Sequence, residues 1–147
     1  MVGFPNQMSA ISSEFPFDYA QIEGIGKLFY PVVRLGIKSV LGWQEMEFLV
    51  DTGADMTTIP DILLPALGID KKSLKVSLTK GVGGFAVKTW DFKLNLRLGR
   101  EELWVMASAV ETRDKFTPLL LGRKDIFEEK FNLLLDSRRK VTVITVN

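Results

Sequence analysis

Apolar and polar residues alternate with a period of two along much of this chain. Phe92, Leu94, Leu96 and Leu98 alternate with Lys93, Asn95 and Arg97, the pattern of a strand with one face in a core and the other in water. Gly99-Arg100-Glu101 turns the chain into an apolar run from Leu103 to Val110, which predicts a hairpin. Leu28 to Ile37 is rich in β-formers, with Gly36 near its end, and Trp43 to Val50 follows after Gly42. Leu74, Val76 and Leu78 alternate with Lys75 and Ser77, and Phe131 to Leu135 with Val141 to Val146 predict a last hairpin around Ser137-Arg138-Arg139. Helical expectations are few: a short one over Asp61 to Leu67 closed by Gly68, and another over Asp125 to Lys130 with an acidic first turn. Short strands at regular spacing with one or two short helices predict an all-β fold, a small closed β-barrel.

Composition narrows the chemistry. The 147 residues are 46% hydrophobic and 25% charged, which suits one domain with a real core. A net charge of +1 gives no reason to expect nucleic acid or an anionic membrane surface as partner. Cys and His are both absent. That excludes disulfides, thiolate or histidine metal sites, cysteine nucleophiles and serine-histidine triads, and no metal or cofactor is expected. The N-terminus lacks a basic start followed by an apolar core, so the expected location is cytoplasmic.

What is left as titratable groups for work near neutral pH is carboxylates and Lys, and one segment is built to present a carboxylate. Phe48-Leu49-Val50 runs straight into Asp51-Thr52-Gly53-Ala54-Asp55. An acid is thereby held at the end of a rigid strand, where the backbone has just left the sheet. Glycine at the third place allows close approach of another backbone, a water or a substrate. The threonine hydroxyl both donates and accepts, so it can fix the loop or tie it to a neighbour. A second segment, Pro118-Leu119-Leu120-Leu121-Gly122-Arg123, is apolar up to a glycine and an arginine.

These segments resemble those of aspartic proteases. The first resembles their active-site motif of two apolar residues, Asp-Thr-Gly or Asp-Ser-Gly, and a small residue. The second resembles the apolar-apolar-Gly element beneath the catalytic loop, with the Arg typical of the retroviral type. The resemblance runs from about Leu28 to Thr145 and is closest to the bacterial and archaeal retropepsin-like aspartyl proteases. It includes Tyr30-Pro31-Val32-Val33, Ala66-Leu67-Gly68, the Gly-rich stretch from Gly81 to Gly84, and Phe127 after Arg123. It implies a retropepsin-like barrel over residues 28–147, with Asp51, Thr52 and Gly53 catalytic, Ala54 and Asp55 at the substrate, and Leu121, Gly122 and Arg123 as structural support. It also implies an ion pair between Asp55 and Arg123 behind the loop; two solvated charges are the alternative.

Copy number bears on mechanism. The chemistry needs two carboxylates sharing one proton, because two like charges at contact distance cannot both ionise cheaply; the aspartic-protease pair is a known instance. The chain holds a single Asp-Thr-Gly. In Leu135-Asp136-Ser137, Arg138 stands where Gly is needed. The second Asp51 is therefore expected from a second copy in a two-fold homodimer, acting on a peptide or protein substrate.

Gly81-Val82-Gly83-Gly84-Phe85 has two readings. A phosphate loop would require a following helix, whereas Ala86-Val87-Lys88-Thr89-Trp90 is β-like. A plain hairpin tip is one reading. The other, which the resemblance implies, is a substrate-binding flap with glycine pivots and free amides. Residues 1–27 depart from the retroviral pattern. Phe4, Phe15, Phe17, Tyr19 and Ile22 make the segment too apolar for a solvated tail, so it is expected to dock on the barrel or on a partner. Arg138-Arg139-Lys140 reads as an exposed turn, and Trp43, Trp90 and Trp104 as core or cleft-wall residues. The expected function is an aspartic endopeptidase. Its rivals are a dimer that binds extended peptides without cleaving them and a structural protein docking through its apolar N-terminal segment.

Overall fold

A computed structural model of the chain describes residues 12–80, 84–112 and 117–147. Within them the chain forms twelve strands: β1 (Ser12–Pro16), β2 (Asp18–Ile22), β3 (Gly26–Tyr30), β4 (Val32–Ser39), β5 (Gly42–Val50), β6 (Thr57–Pro60), β7 (Val76–Lys80), β8 (Ala86–Leu98), β9 (Glu101–Val110), β10 (Leu120–Leu121), β11 (Phe131–Asp136) and β12 (Val141–Val146). The main sheet runs β4-β5-β10-β6-β9-β8-β7, and a further β4–β8 pairing returns the order to its start. Gly36 faces Arg97 and Ile37 faces Leu96 in that closing pair. Six strands thus close on themselves, as the all-β barrel expectation requires, and closure removes the open edges a flat sheet would carry.

The period-two pattern explains the core. Phe92, Leu94, Leu96 and Leu98 of β8 point inward with Leu103, Val105, Ala107 and Ala109 of β9, while Lys93 and Arg97 face water. Across the two strands Trp90 pairs with Ala109 and Phe92 with Ala107. A large ring opposite a methyl group on each rung keeps the interior filled without overpacking. Val33, Leu35 and Ile37 of β4, Phe48 and Val50 of β5, Ile59 of β6 and Leu121 of β10 complete this core.

Several expectations are corrected. Leu28 to Ile37 is not one strand: Pro31 separates β3 from β4. Proline has no N–H for a ladder, and its carbonyl instead accepts the Val50 N–H at 2.9 Å. Asp61 to Leu67 is two single 3-10 turns, Asp61–Leu63 and Pro65–Leu67. Pro65 cannot donate the bond that would join them, and Gly68 ends the second with φ +75°. A third turn, Lys71–Ser73, is capped by Asp70 accepting from Lys72 N, and the strand expected from Leu74 begins at Val76. Asp125 to Lys130 is a run of turns, because Asp125 takes φ +65° and departs from helical geometry at once. Trp104 is 64% exposed on the barrel's outside, whereas Trp90 is 7% exposed.

β1 pairs antiparallel with β12, whose other edge carries β11. β2 and β3 form a separate hairpin on which the Phe17 and Phe29 rings stack at 4.0 Å. Phe4 lies outside the described residues. Arg139, in the turn between β11 and β12, ties the arrangement together. Its guanidinium donates to both Glu14 oxygens, at 3.0 and 2.8 Å, and its Nε donates to Asp136 at 2.9 Å. Hydrogen bonds from Arg139 hold the carboxyls of Glu14 and Asp136 below their ordinary values. A carboxylate depressed in the fold contributes stability above its unfolded pKa, about 4, and loses it as pH falls through the folded value. Arg139→Ala should therefore melt below wild type at pH 7, with the gap closing as pH falls from about 4 toward 2. Thermal melts of both chains across that range check this.

Candidate active site

The strand that delivers Asp51 is held by backbone bonds on two sides, by the Leu119–Leu121 segment and by Pro31. Leu49 N–H donates to Leu119 O at 2.8 Å, Val50 N–H to Pro31 O at 2.9 Å, and Asp51 N–H to Leu121 O at 3.0 Å. The loop then closes on itself, with Ala54 N–H donating to Asp51 O at 3.1 Å and Gly53 N–H to Asp51 Oδ1 at 3.0 Å. That side-chain bond makes an Asx turn, which fixes the carboxyl relative to its own backbone. Asp51 is half-buried, and Thr52, Gly53 and Asp55 are exposed. Among the described residues Oδ2 of Asp51 makes no hydrogen bond, so one oxygen of the acid is left for a ligand.

The Leu121–Arg123 segment lies against this loop, as its pattern suggested. Leu121 is fully buried. Gly122 N–H donates to the Oγ1 of Thr57, itself fully buried, at 3.1 Å. A Cβ on Gly122 would overlap the Met56 carbonyl group and sit 2.8 Å from Thr57 N. Arg123 reaches around the loop: Nη1 donates to Thr52 O and Nη2 to Asp55 Oδ1, both at 2.6 Å. Its own N–H donates to Ala54 O at 3.1 Å, and Lys124 N–H donates to Asp55 O at 2.9 Å. Every residue from Asp51 to Asp55 is thus bonded within the loop or to this segment. The Asp55–Arg123 pair is present, but in the single chain the Asp55 side chain is 89% exposed and that of Arg123 45%.

Gly84 and Phe85 lie at the start of the returning arm of the β7–β8 hairpin. There Lys80 faces Ala86, Gly84 has φ +80°, and Phe85 is 67% exposed. Gly81, Val82 and Gly83 are outside the described residues. Thr57 was missed by the sequence reading. Its only signal was the Thr57-Thr58 pair ahead of Ile59: in a strand with one buried face one of the two hydroxyls turns inward and must find a partner. Among the described residues no group of three or more acids converges to hold a metal ion, and no helix is long and apolar enough to cross a membrane.

Residues 39–126 match the family model described as "gag-polyprotein putative aspartyl protease". The chain belongs to this aspartyl protease family. No curated protein matches it. Among solved structures, a retropepsin-like aspartic protease from Rickettsia conorii is similar over 92% of this chain and 93% of its own, with 17% identity and a TM-score of 0.62. That likeness is one of fold. The EIAV protease complexed with the inhibitor HBY-793 is also similar, over 71% of this chain and 88% of its own, with 17% identity and a TM-score of 0.48. The Asp51 loop and the Leu121–Arg123 segment both fall inside the family match.

The geometry ranks the supports. Gly122→Ala forces backbone apart at Met56 and should cost about 2 kcal/mol or more of unfolding free energy. Asp55→Asn weakens a solvent-exposed pair and should cost no more than about 1 kcal/mol in the isolated chain. Denaturant titration of both variants tests this order. Equal losses would mean that the Asp55–Arg123 pair carries the loop.

Proposed function

We propose that this protein is an aspartic endopeptidase that acts as a homodimer, one Asp51 coming from each copy. The observation that carries the reading is the mounting of Asp51: an acid rigidly held at a strand end, with one oxygen tied to its own loop and the other open. Each chain supplies one such loop, and two-fold symmetry would bring two together. One carboxylate takes a proton from a water while the other, protonated, donates to the scissile carbonyl. The water oxygen bonds to the carbonyl carbon, the C–N bond then breaks, and the proton passes to the leaving amine. Thr52, exposed at the tip, reaches across to the opposite loop. The Gly53-to-Asp55 backbone and the segment from Gly81 to Phe85 would hold the peptide in extended form. Residues 28–147 form the protease domain, and the preceding segment docks on it through β1.

Asp51→Asn should abolish cleavage of a peptide library while leaving the melting temperature close to wild type. In an equal mixture of wild-type and variant chains only about a quarter of dimers carry two acids, so activity should fall to about a quarter of that of the same total chain. A fall to one half would mean that each chain works alone. Activity should follow a bell on the acidic side of neutrality, lost at low pH when both acids hold protons and at high pH when neither does. A monomer by sedimentation with full activity would overturn the dimer. A verified dimer that binds peptides but cleaves none at any pH would leave a binding module.

A further inference from the structure

Asp61 is an acid that the mechanism does not use, and its side chain is only 10% exposed. It follows β6, the strand leaving the Asp51 loop, and joins two other segments. Oδ1 accepts the Thr112 N–H at 2.9 Å, just past the end of β9, and Oδ2 accepts from Lys71 Nζ at 3.1 Å. The Lys71 ammonium in turn sits 4.6 Å from the centroid of the Trp90 ring. Burial works against the charged form of Asp61, yet hydrogen bonds from Thr112 and from Lys71 more than offset it and leave its carboxyl below the ordinary value. Asp61 is thus held as an anion in the fold.

Trp90 marks the root of the β7–β8 hairpin. On one side it pairs with Val76, the first residue of β7, and on the other with Ala109 of β9. Beyond it β8 runs out toward Phe85, supported by β9 through Thr89 and by Glu111 N–H donating to Lys88 O at 2.9 Å. Two routes therefore lead from Asp61 to the hairpin root: through Lys71 to the Trp90 ring, and through Thr112 and Glu111 to Lys88. Both start at the residue that follows the strand leaving the candidate active site.

We propose that Asp61 and Lys71 are positioning residues for substrate binding: the Asp61–Lys71–Trp90 node fixes the root of the β7–β8 hairpin relative to the Asp51 loop, and so sets how firmly the paired arms Val76–Lys80 and Ala86–Lys88 are held when a peptide binds. The inference rests on the proteolytic reading for its substrate but not for its mechanics. A hairpin with a loosened root holds peptide less well, while the acids that do the chemistry stay in place.

The test uses the full chain with Lys71→Met, which keeps the stem and removes the charge, and Lys71→Arg, which keeps a cation able to meet both Asp61 and the ring. Asp61→Asn is a third variant. Amide hydrogen exchange is followed over Val76–Lys80 and Ala86–Lys88, together with steady-state cleavage of a library-selected peptide. Lys71→Met is expected to speed exchange in the hairpin arms about tenfold, leave β11 and β12 unchanged, and raise KM several-fold with kcat within about twofold. Lys71→Arg is expected to restore both. Unchanged exchange and KM in Lys71→Met would overturn the proposal. So would exchange raised equally in all strands, which marks a merely structural role, or failure of Lys71→Arg to rescue. If wild type cleaves nothing, peptide affinity replaces KM. Faster hairpin exchange with weakened affinity would then uphold the node while proteolysis falls.

Discussion

The structure depends on a short passage of chain lying between two strands that do not touch each other. β5 and β6 flank the Asp51 loop, and the only strand between them in the sheet order is the two-residue β10. Leu120 faces Leu49 in parallel and Thr58 in antiparallel fashion, and Leu121 faces Val50. Closing the barrel and mounting the acid are therefore one interaction. The carbonyl of Leu121 that takes the Asp51 N–H belongs to the residue whose side chain fills the core beneath it. The passage is narrow enough that the next residue must have no side chain, because Gly122 lies directly on the Met56–Thr57 backbone.

Magnitudes separate what stabilises this region from what orients it. Burying a leucine such as Leu121 contributes about 1.5–3 kcal/mol. An ion pair as exposed as Asp55–Arg123 contributes at most about 1 kcal/mol. Arg123 thus adds little to folding, yet it holds Thr52 O and Asp55 Oδ1 with one guanidinium, and its planar fork sets their separation. The sequence reading treated that pair as lying behind the loop, where burial would have made its loss costly. In the single chain it lies in water, so its contribution is geometric. The same distinction applies at Arg139, whose exposed bonds to Glu14 and Asp136 set the register of the terminal strands against one another.

Much of this was legible in the sequence for physical reasons. β8 buries one face and wets the other, so its side chains alternate from Trp90 to Leu98; β9 keeps the pattern from Leu103 to Ala107 and loses it at Ser108, which is buried as well. The Asp51 loop and the Leu121–Arg123 segment could be read because each needs particular residue types: an acid, a small hydroxyl residue, and glycines where backbones meet. The failures have a common cause. Asp125 in a left-handed conformation, the two turns divided by Pro65 and the break at Pro31 all depend on single backbone positions inside patterns that otherwise suit a longer element. The exposure of Trp104 depends on which face of β9 turns inward, which its pairing partner Asn95 fixes and its own identity does not. Thr57 and Asp61 were illegible because their partners, Gly122 and Thr112, are 65 and 51 residues away.

The loop's polar groups are divided between two directions, and that division bears on assembly. Much of its backbone is bonded inward, to Leu121, Arg123 and Lys124. Its side chains face outward: the open oxygen of Asp51, exposed Thr52, and Asp55. In the proposed dimer these surfaces meet their own copies. Two unprotonated acids at 4 Å would repel by on the order of 4 kcal/mol at an effective dielectric of 20, more than an exposed ion pair returns. A proton taken up from solvent and shared between them would remove that repulsion. In the proposed dimer, joining two such loops and placing one proton between them would be linked. The state that lets the copies meet would also be the one in which one acid can accept a proton from water and the other can give one to a carbonyl.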